Sequence, residues 1–288
     1  MSVFAIIIRL LNAAIMLVAP VVVALIFVKR SKIGWRLFGI GVVTFLASQL
    51  LHIPFNSFCL SPFLDWTGLE TSAGGVSLVL AALALGLSAG VFEETARYLV
   101  YRYWLKKEQS WADGVMFGLG HGGVESMIVG VLALYALAQV FVLRGENLRN
   151  YVPIEQIELA QAQIAAYWSM PWHEAVLGSV ERLAAMSFHV GASVMVLQAL
   201  KRKNIAWLGA AIAWHALLDG VAVFSVQVLN IYGTEALVVL FGALSLFFAF
   251  LLRDRVEEEK EIETIQPPEI LRVDFEVASH ELDDSRYG

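Results

Sequence analysis

The sequence predicts an all-α, polytopic transmembrane helical bundle, and three observations lead there. Apolar residues make up 58% of the 288 and charged residues only 16%. The mean hydropathy is +0.68, and several apolar runs pass the roughly eighteen residues at which a stretch reads as a membrane span. Lysine and arginine also gather at alternate ends of these runs, as they do when successive helices cross a bilayer in opposite directions.

Taking roughly 20 residues per crossing, spans are expected at 4–28, 35–53, 74–104, 111–143, 172–200, 205–229 and 234–252. Seven is the expected count. Eight is the alternative, because the third and fourth runs are longer than one crossing. They must tilt, project from the bilayer, or break at Gly90 and at the Gly118, Gly120, Gly122 and Gly123 cluster.

The first run is followed, not preceded, by Lys29, Arg30 and Lys32, so it is expected to be a retained span and not a signal peptide. Those residues and Arg36, the group Arg102, Lys106 and Lys107, the group Lys201, Arg202 and Lys203, and the pair Arg253 and Arg255 mark one set of connections. The positive-inside rule makes these connections cytoplasmic, with the N-terminus outside and the C-terminus inside.

On the opposite side, residues 54–73 carry no Lys or Arg. In the second such connection Ile154, Ile157, Ala160 and Ile164 recur at helical spacing, predicting a surface helix or an extension of the fifth span. A transmembrane domain is therefore expected over 1–253. Residues 254–288, mixed in charge and containing Pro267 and Pro268, are expected to be a disordered cytoplasmic tail.

Several chemistries are excluded. The single cysteine, Cys59, cannot form an internal disulfide. There is no P-loop, no serine nucleophile elbow, no His-Glu-x-x-His and no basic aromatic surface for nucleic acid. The net charge of −6 is concentrated partly in the tail segment 256–260 and identifies no partner.

What remains is a set of ionisable residues inside the apolar runs: Glu93, Glu94 and Arg97; His121 and Glu125; His189; His215 and Asp219. Charged groups near the bilayer centre are costly unless they pair or act there. Glu94 lies twelve residues before Lys106, His121 ten after Trp111, His189 twelve before Lys201 and His215 twelve after Lys203. At 1.5 Å per residue each is on the order of 15–18 Å deep, so four spans bring polar groups to one level.

Arg97 is four residues from Glu93 and three from Glu94, so it can neutralise one carboxylate while the other faces the bundle as a general base for water. Alone, the motif also describes an ion pair that merely neutralises itself. Small residues around His121 allow close approach of a neighbouring helix or a substrate, and His121 and Glu125 share a face if the helix is intact. Asp219 is placed to fix the tautomer of His215. His189 has no local acid, and Glu181 with Arg182 reads as a pair at a polar surface or gate.

Three of the six histidines occupy the common level, while His52, His173 and His280 lie at span ends or in the tail. If a metal is bound, His121, His189 and His215 with a carboxylate are ligands for a divalent ion such as zinc with an open water position. The same groups could hold water directly, without metal.

The ordered set Glu93-Glu94-x-x-Arg97, Phe117-x-x-x-His121, His189 and His215-x-x-x-Asp219 resembles the CAAX-protease and bacteriocin-processing superfamily of intramembrane peptidases. With His121-Gly122-Gly123-x-Glu125 it looks most like the YhfC branch, bacterial membrane peptidases related to PrsW proteases. The similarity runs over about residues 74–225.

The resemblance implies a multi-pass bacterial inner-membrane peptidase cutting a membrane protein or peptide. In it Glu93 or Glu94 activates water, His121 and His215 assist, and Arg97 holds the pair, with Glu125, His189 and Asp219 in support. Asp219 stands where prenyl-processing members commonly have Asn, and the glutamates lie closer to Arg97 than in those members, which argues against a prenylated substrate. Two rivals predict the same composition. One is a non-catalytic scaffold of this fold. The other is a proton-coupled transporter, against which the lack of an internal repeat counts.

Overall fold

A computed structural model describes residues 3–144 and 147–253, so the expected tail at 254–288 lies outside the described residues. The described residues are helical, and seven helices among them are long and apolar enough to cross a membrane. They are α1 (Val3–Ser31), α2 (Arg36–Phe55), α4 (Gly75–Tyr103), α5 (Trp111–Val142), α8 (Leu177–Lys201), α9 (Ala206–Val228) and α10 (Ile231–Leu251).

Of three shorter helices, α3 (Ser61–Thr67) prolongs the second span, α6 (Ile157–Ser169) lies between spans, and α7 (Trp172–Ala175) opens the fifth. The span of α2 runs further than its apolar run suggested. Past Pro54 it widens into a five-residue π-helical stretch, Asn56–Leu60, and continues as α3 up to the left-handed Gly68. Proline cannot donate to the carbonyl one turn back, and the wider turn lets the chain continue as helix. The expected connection at 54–73 is thus largely helical.

The glycines do not break α4 or α5. Both remain unbroken over 29 and 32 residues, about 44 and 48 Å at 1.5 Å per residue, so they tilt or project. The glycines instead make α5 thin. A Cβ on Gly118 would stand 2.7 Å from the Val190 Cα, and one on Gly122 2.9 Å from the His189 Cβ, both on α8. In lipid, where no hydrophobic effect drives helices together, such close backbone approach is a main source of association.

Helix α8 is the axis of the bundle. Of its apolar window 78% is buried inside the protein, against 17–39% for the other spans. It packs against α5, α10, α9 and α4, while α1 and α2 cover α5, and α9 pairs with α4.

Cross-links at the two ends agree with seven alternating spans. At the basic end, Arg36 pairs with Glu108, and the Trp111 indole donates to the Ala249 carbonyl at 2.7 Å. Ser110 and Asp113 form a capping box that starts α5 there. At the other end the buried Arg9 donates to the Tyr167 carbonyl at 2.6 Å and lies over the Tyr167 ring. Helix α6 is therefore separate from the fifth span, which starts after Pro171, and Arg9 tethers it to α1.

Candidate active site

Four helices converge on a buried polar cluster next to α8. Helix α4 supplies Glu93, Glu94 and Arg97, α5 supplies His121 and Glu125, α8 supplies His189 and Arg182, and α9 supplies His215 and Asp219. Glu93, Glu94, Arg97, His121, His189 and His215 are all buried.

The guanidinium of Arg97 does not choose between the glutamates. Nη1 donates to Glu94 Oε1, and Nη2 reaches Glu93 Oε2 at 3.4 Å and His189 Nδ1 at 2.6 Å. The expectation that one carboxylate stays clear of Arg97 is corrected here, because a planar fork with five N–H donors serves three acceptors together.

A guanidinium has no lone pair, so His189 Nδ1 must accept. The His189 proton then sits on Nε2, which donates to Glu125 Oε2 at 2.5 Å. Glu125 in turn accepts from Arg182 Nη1 at 2.6 Å, and Arg182 also bonds Glu181. His189, without an acid nearby in sequence, thus has one from α5. Arg182, read as half of a surface pair, joins the cluster.

Glu93 accepts from the Gln49 amide at 2.9 Å, and its Oε2 lies 3.0 Å from His121 Nε2. Glu94 Oε1 also accepts from His215 Nδ1 at 2.6 Å, while His215 Nε2 faces Asp219 at 3.6 Å. Within the cluster four buried atoms have no hydrogen-bond partner, Glu94 Oε2, His121 Nδ1, Arg97 Nε and Arg182 Nε, and of these only the first two can offer a lone pair. Phe188 stands edge-on to both His189 and His215, and Phe45 to His121, so apolar rings close the cluster.

The donor set fits a divalent cation. One ligand atom each from Glu93, His121 and His189 lies within 4.8 Å of the other two, an N, N, O set of the kind that holds catalytic zinc. Five carboxylates (Glu93, Glu94, Glu125, Glu181 and Asp219) face two guanidiniums (Arg97 and Arg182). Carboxylates thus outnumber guanidiniums, an excess of formal negative charge that a bound cation lowers. His215, expected among the ligands, is instead turned to Glu94, and Glu93 stands in the set.

Sequence reasoning passed over Gln49. The signal for it is a primary amide inside the apolar run 35–53, four residues from its end.

A protein of Bacillus subtilis (strain 168), named as an uncharacterized membrane protein YhfC, is 28% identical over 244 residues, covering 83% of this chain and 92% of that one. No solved structure matches. A family model described as YhfC intramembrane metalloprotease matches residues 15–241. With seven spans this is a multi-pass membrane protein, and with that match running from α1 into α10 the chain belongs to the YhfC intramembrane metalloprotease family.

Proposed function

We propose that the protein is an intramembrane peptidase that hydrolyses a peptide bond of a membrane protein or membrane-embedded peptide, with Glu94 as the general base and Glu93, His121 and His189 holding a divalent ion such as zinc. The observation that carries this reading is the division of labour between the adjacent glutamates. Glu93 lies within the compact ligand group, whereas Glu94 keeps a buried, unpartnered Oε2 beside it. The family description and the resemblance to glutamate-dependent membrane peptidases agree with it.

A divalent ion held by these residues supplies a Lewis acid for the scissile carbonyl oxygen. For His189 to ligate through Nδ1, it must exchange the hydrogen bond it accepts from Arg97. Gln49 and Arg97 hold Glu93 in place, and Arg182 through Glu125 fixes the His189 ring. Glu94 Oε2 accepts a proton from water as the water oxygen bonds to the carbonyl carbon. The same proton is delivered to the amide nitrogen as the C–N bond breaks. His215 and Asp219, in line behind Glu94, steady its charge through this cycle.

Access is lateral in this reading. Between α2 and α5 lies a groove of about 750 Å³ whose walls include Phe45, Leu46, Leu50 and Ile53 and whose polar members are Gln49 and Glu125. An apolar peptide segment arriving from the bilayer meets the polar cluster there.

The test separates base from ligand. Wild type, Glu94→Gln and His121→Ala are compared by metal content of the purified protein and by proteomics of membrane fragments released in cells. Glu94→Gln is expected to keep its metal and lose cleavage by roughly 10²–10⁴-fold, and His121→Ala to lose both. Undiminished cleavage by Glu94→Gln overturns the base assignment. If no variant alters any cleavage while partners still co-purify, the scaffold reading replaces this one.

A further inference from the structure

At the basic end of the bundle, α4, the loop after it and the α8–α9 turn enclose a hollow of about 700 Å³ lined by Tyr98, Arg102, Tyr103, Lys106, Gln109 and Lys203, among others. Its lining contains three cations and no carboxylate. None of the three forms an ion pair among the described residues, whereas the nearby Arg36 is paired with Glu108. Like charges around one concavity repel each other, and an anion in it relieves that repulsion.

The end of α8 sets the position of Lys203. It closes α8 in a Schellman arrangement, its N–H bonding the Leu200 carbonyl at 3.2 Å and the Asn204 N–H bonding the Ala199 carbonyl at 3.1 Å. Its φ is 51°, in the left-handed region that glycine occupies freely and a side chain disfavours. Lys32, after α1 and outside the hollow, has the same sign of φ (58°), so this conformation fixes where the Lys203 backbone sits and does not by itself mark the hollow.

The surroundings select among anions. Tyr103, Trp104 and Ile205 are 69%, 53% and 60% exposed at this level, the amphipathic and apolar surface that sits at a membrane interface. Leu99, one turn below Tyr103 on α4, lines a separate apolar groove of about 460 Å³ between α2 and α4, with Val43, Leu51 and Trp104 also in its walls. A free phosphate has no use for that groove, and an acyl chain does.

We propose that the hollow binds the headgroup phosphate of an anionic phospholipid, with an acyl chain lying along the α2–α4 groove. Basic pockets between transmembrane helices on the cytoplasmic side take such headgroups, and the positive-inside rule puts this end there.

The test uses the full-length protein in phosphatidylcholine nanodiscs doped with phosphatidylglycerol, with retained lipid read by native mass spectrometry. Wild type is expected to enrich phosphatidylglycerol over phosphatidylcholine. Arg102→Gln/Lys106→Gln/Lys203→Gln should weaken that preference on the order of a hundredfold, and Lys29→Gln/Arg30→Gln, at the same end but outside the hollow, should leave it intact. Lys203→Gly should unfold no more easily than wild type yet retain less phosphatidylglycerol, which separates lost charge from lost fold. Unchanged enrichment in the triple variant, or equal retention of both lipids by wild type, overturns the site. Displacement of the lipid by millimolar inorganic phosphate overturns the lipid assignment in favour of a free-anion site.

Discussion

The charges in the middle of this bundle and those at its basic end obey opposite rules. At mid-bundle every guanidinium is shared. Arg97 serves Glu93, Glu94 and His189, and Arg182 serves Glu125 and Glu181. At the basic end Arg102, Lys106 and Lys203 line one hollow without a carboxylate in it. Water and headgroups solvate a cation at the interface, whereas an unpaired charge at depth costs several kcal/mol. Pairing therefore tracks depth, and departures from it are informative. Of the unpartnered cluster atoms, Glu94 Oε2, His121 Nδ1, Arg97 Nε and Arg182 Nε, only Glu94 Oε2 and His121 Nδ1 can accept a proton or bind a cation, which is why they point to chemistry.

The contrast can be broken most directly at Arg97. Arg97→Met strands two buried carboxylates and is expected to destabilise the fold by about 3–5 kcal/mol, read as a drop in thermal unfolding temperature in detergent, while Arg102→Gln costs almost nothing. Equal losses from the two would dissolve the distinction.

A smaller effect is expected at Glu125, the acid that α5 gives to His189 at 2.5 Å. Glu125→Gln should weaken divalent-metal affinity by about 10–100-fold in a chelator competition without unfolding the protein. Unchanged affinity would mean that His189 is positioned by Arg97 alone.

The smallest effect belongs to the interface. A hydrogen bond from Arg36 holds the Glu108 carboxyl below its ordinary pKa, so the pair's contribution is present at neutral pH and fades as pH falls through the folded value. Arg36→Ala should cost under about 1 kcal/mol at neutral pH and nothing in acid. A large, pH-independent loss would show that Arg36 packs rather than pairs.

Much of the fold was legible before any coordinates. Run length and composition are local properties, so seven spans and an all-helical class follow from 58% apolar residues and the placement of lysine and arginine. Where the reading fell short, backbone detail intervened. The chain after Pro54 continued as helix through a widened turn, and the glycines of α5 thinned the helix instead of breaking it.

The site divides the same way. Counting residues from the basic ends places Glu93, Glu94, His121, His189 and His215 inside their spans, and the i, i+3 and i, i+4 spacings bring Arg97 to both glutamates. Only the tertiary structure decided that Glu125 serves His189, that Arg182 joins them, that Gln49 holds Glu93 and that His215 turns to Glu94. Those partners lie 64, 57, 44 and 121 residues apart in sequence. Each contact depends on how far a helix is rotated about its own axis. That rotation is set by close packing between helices, such as Gly122 against His189, which one-dimensional spacing does not encode.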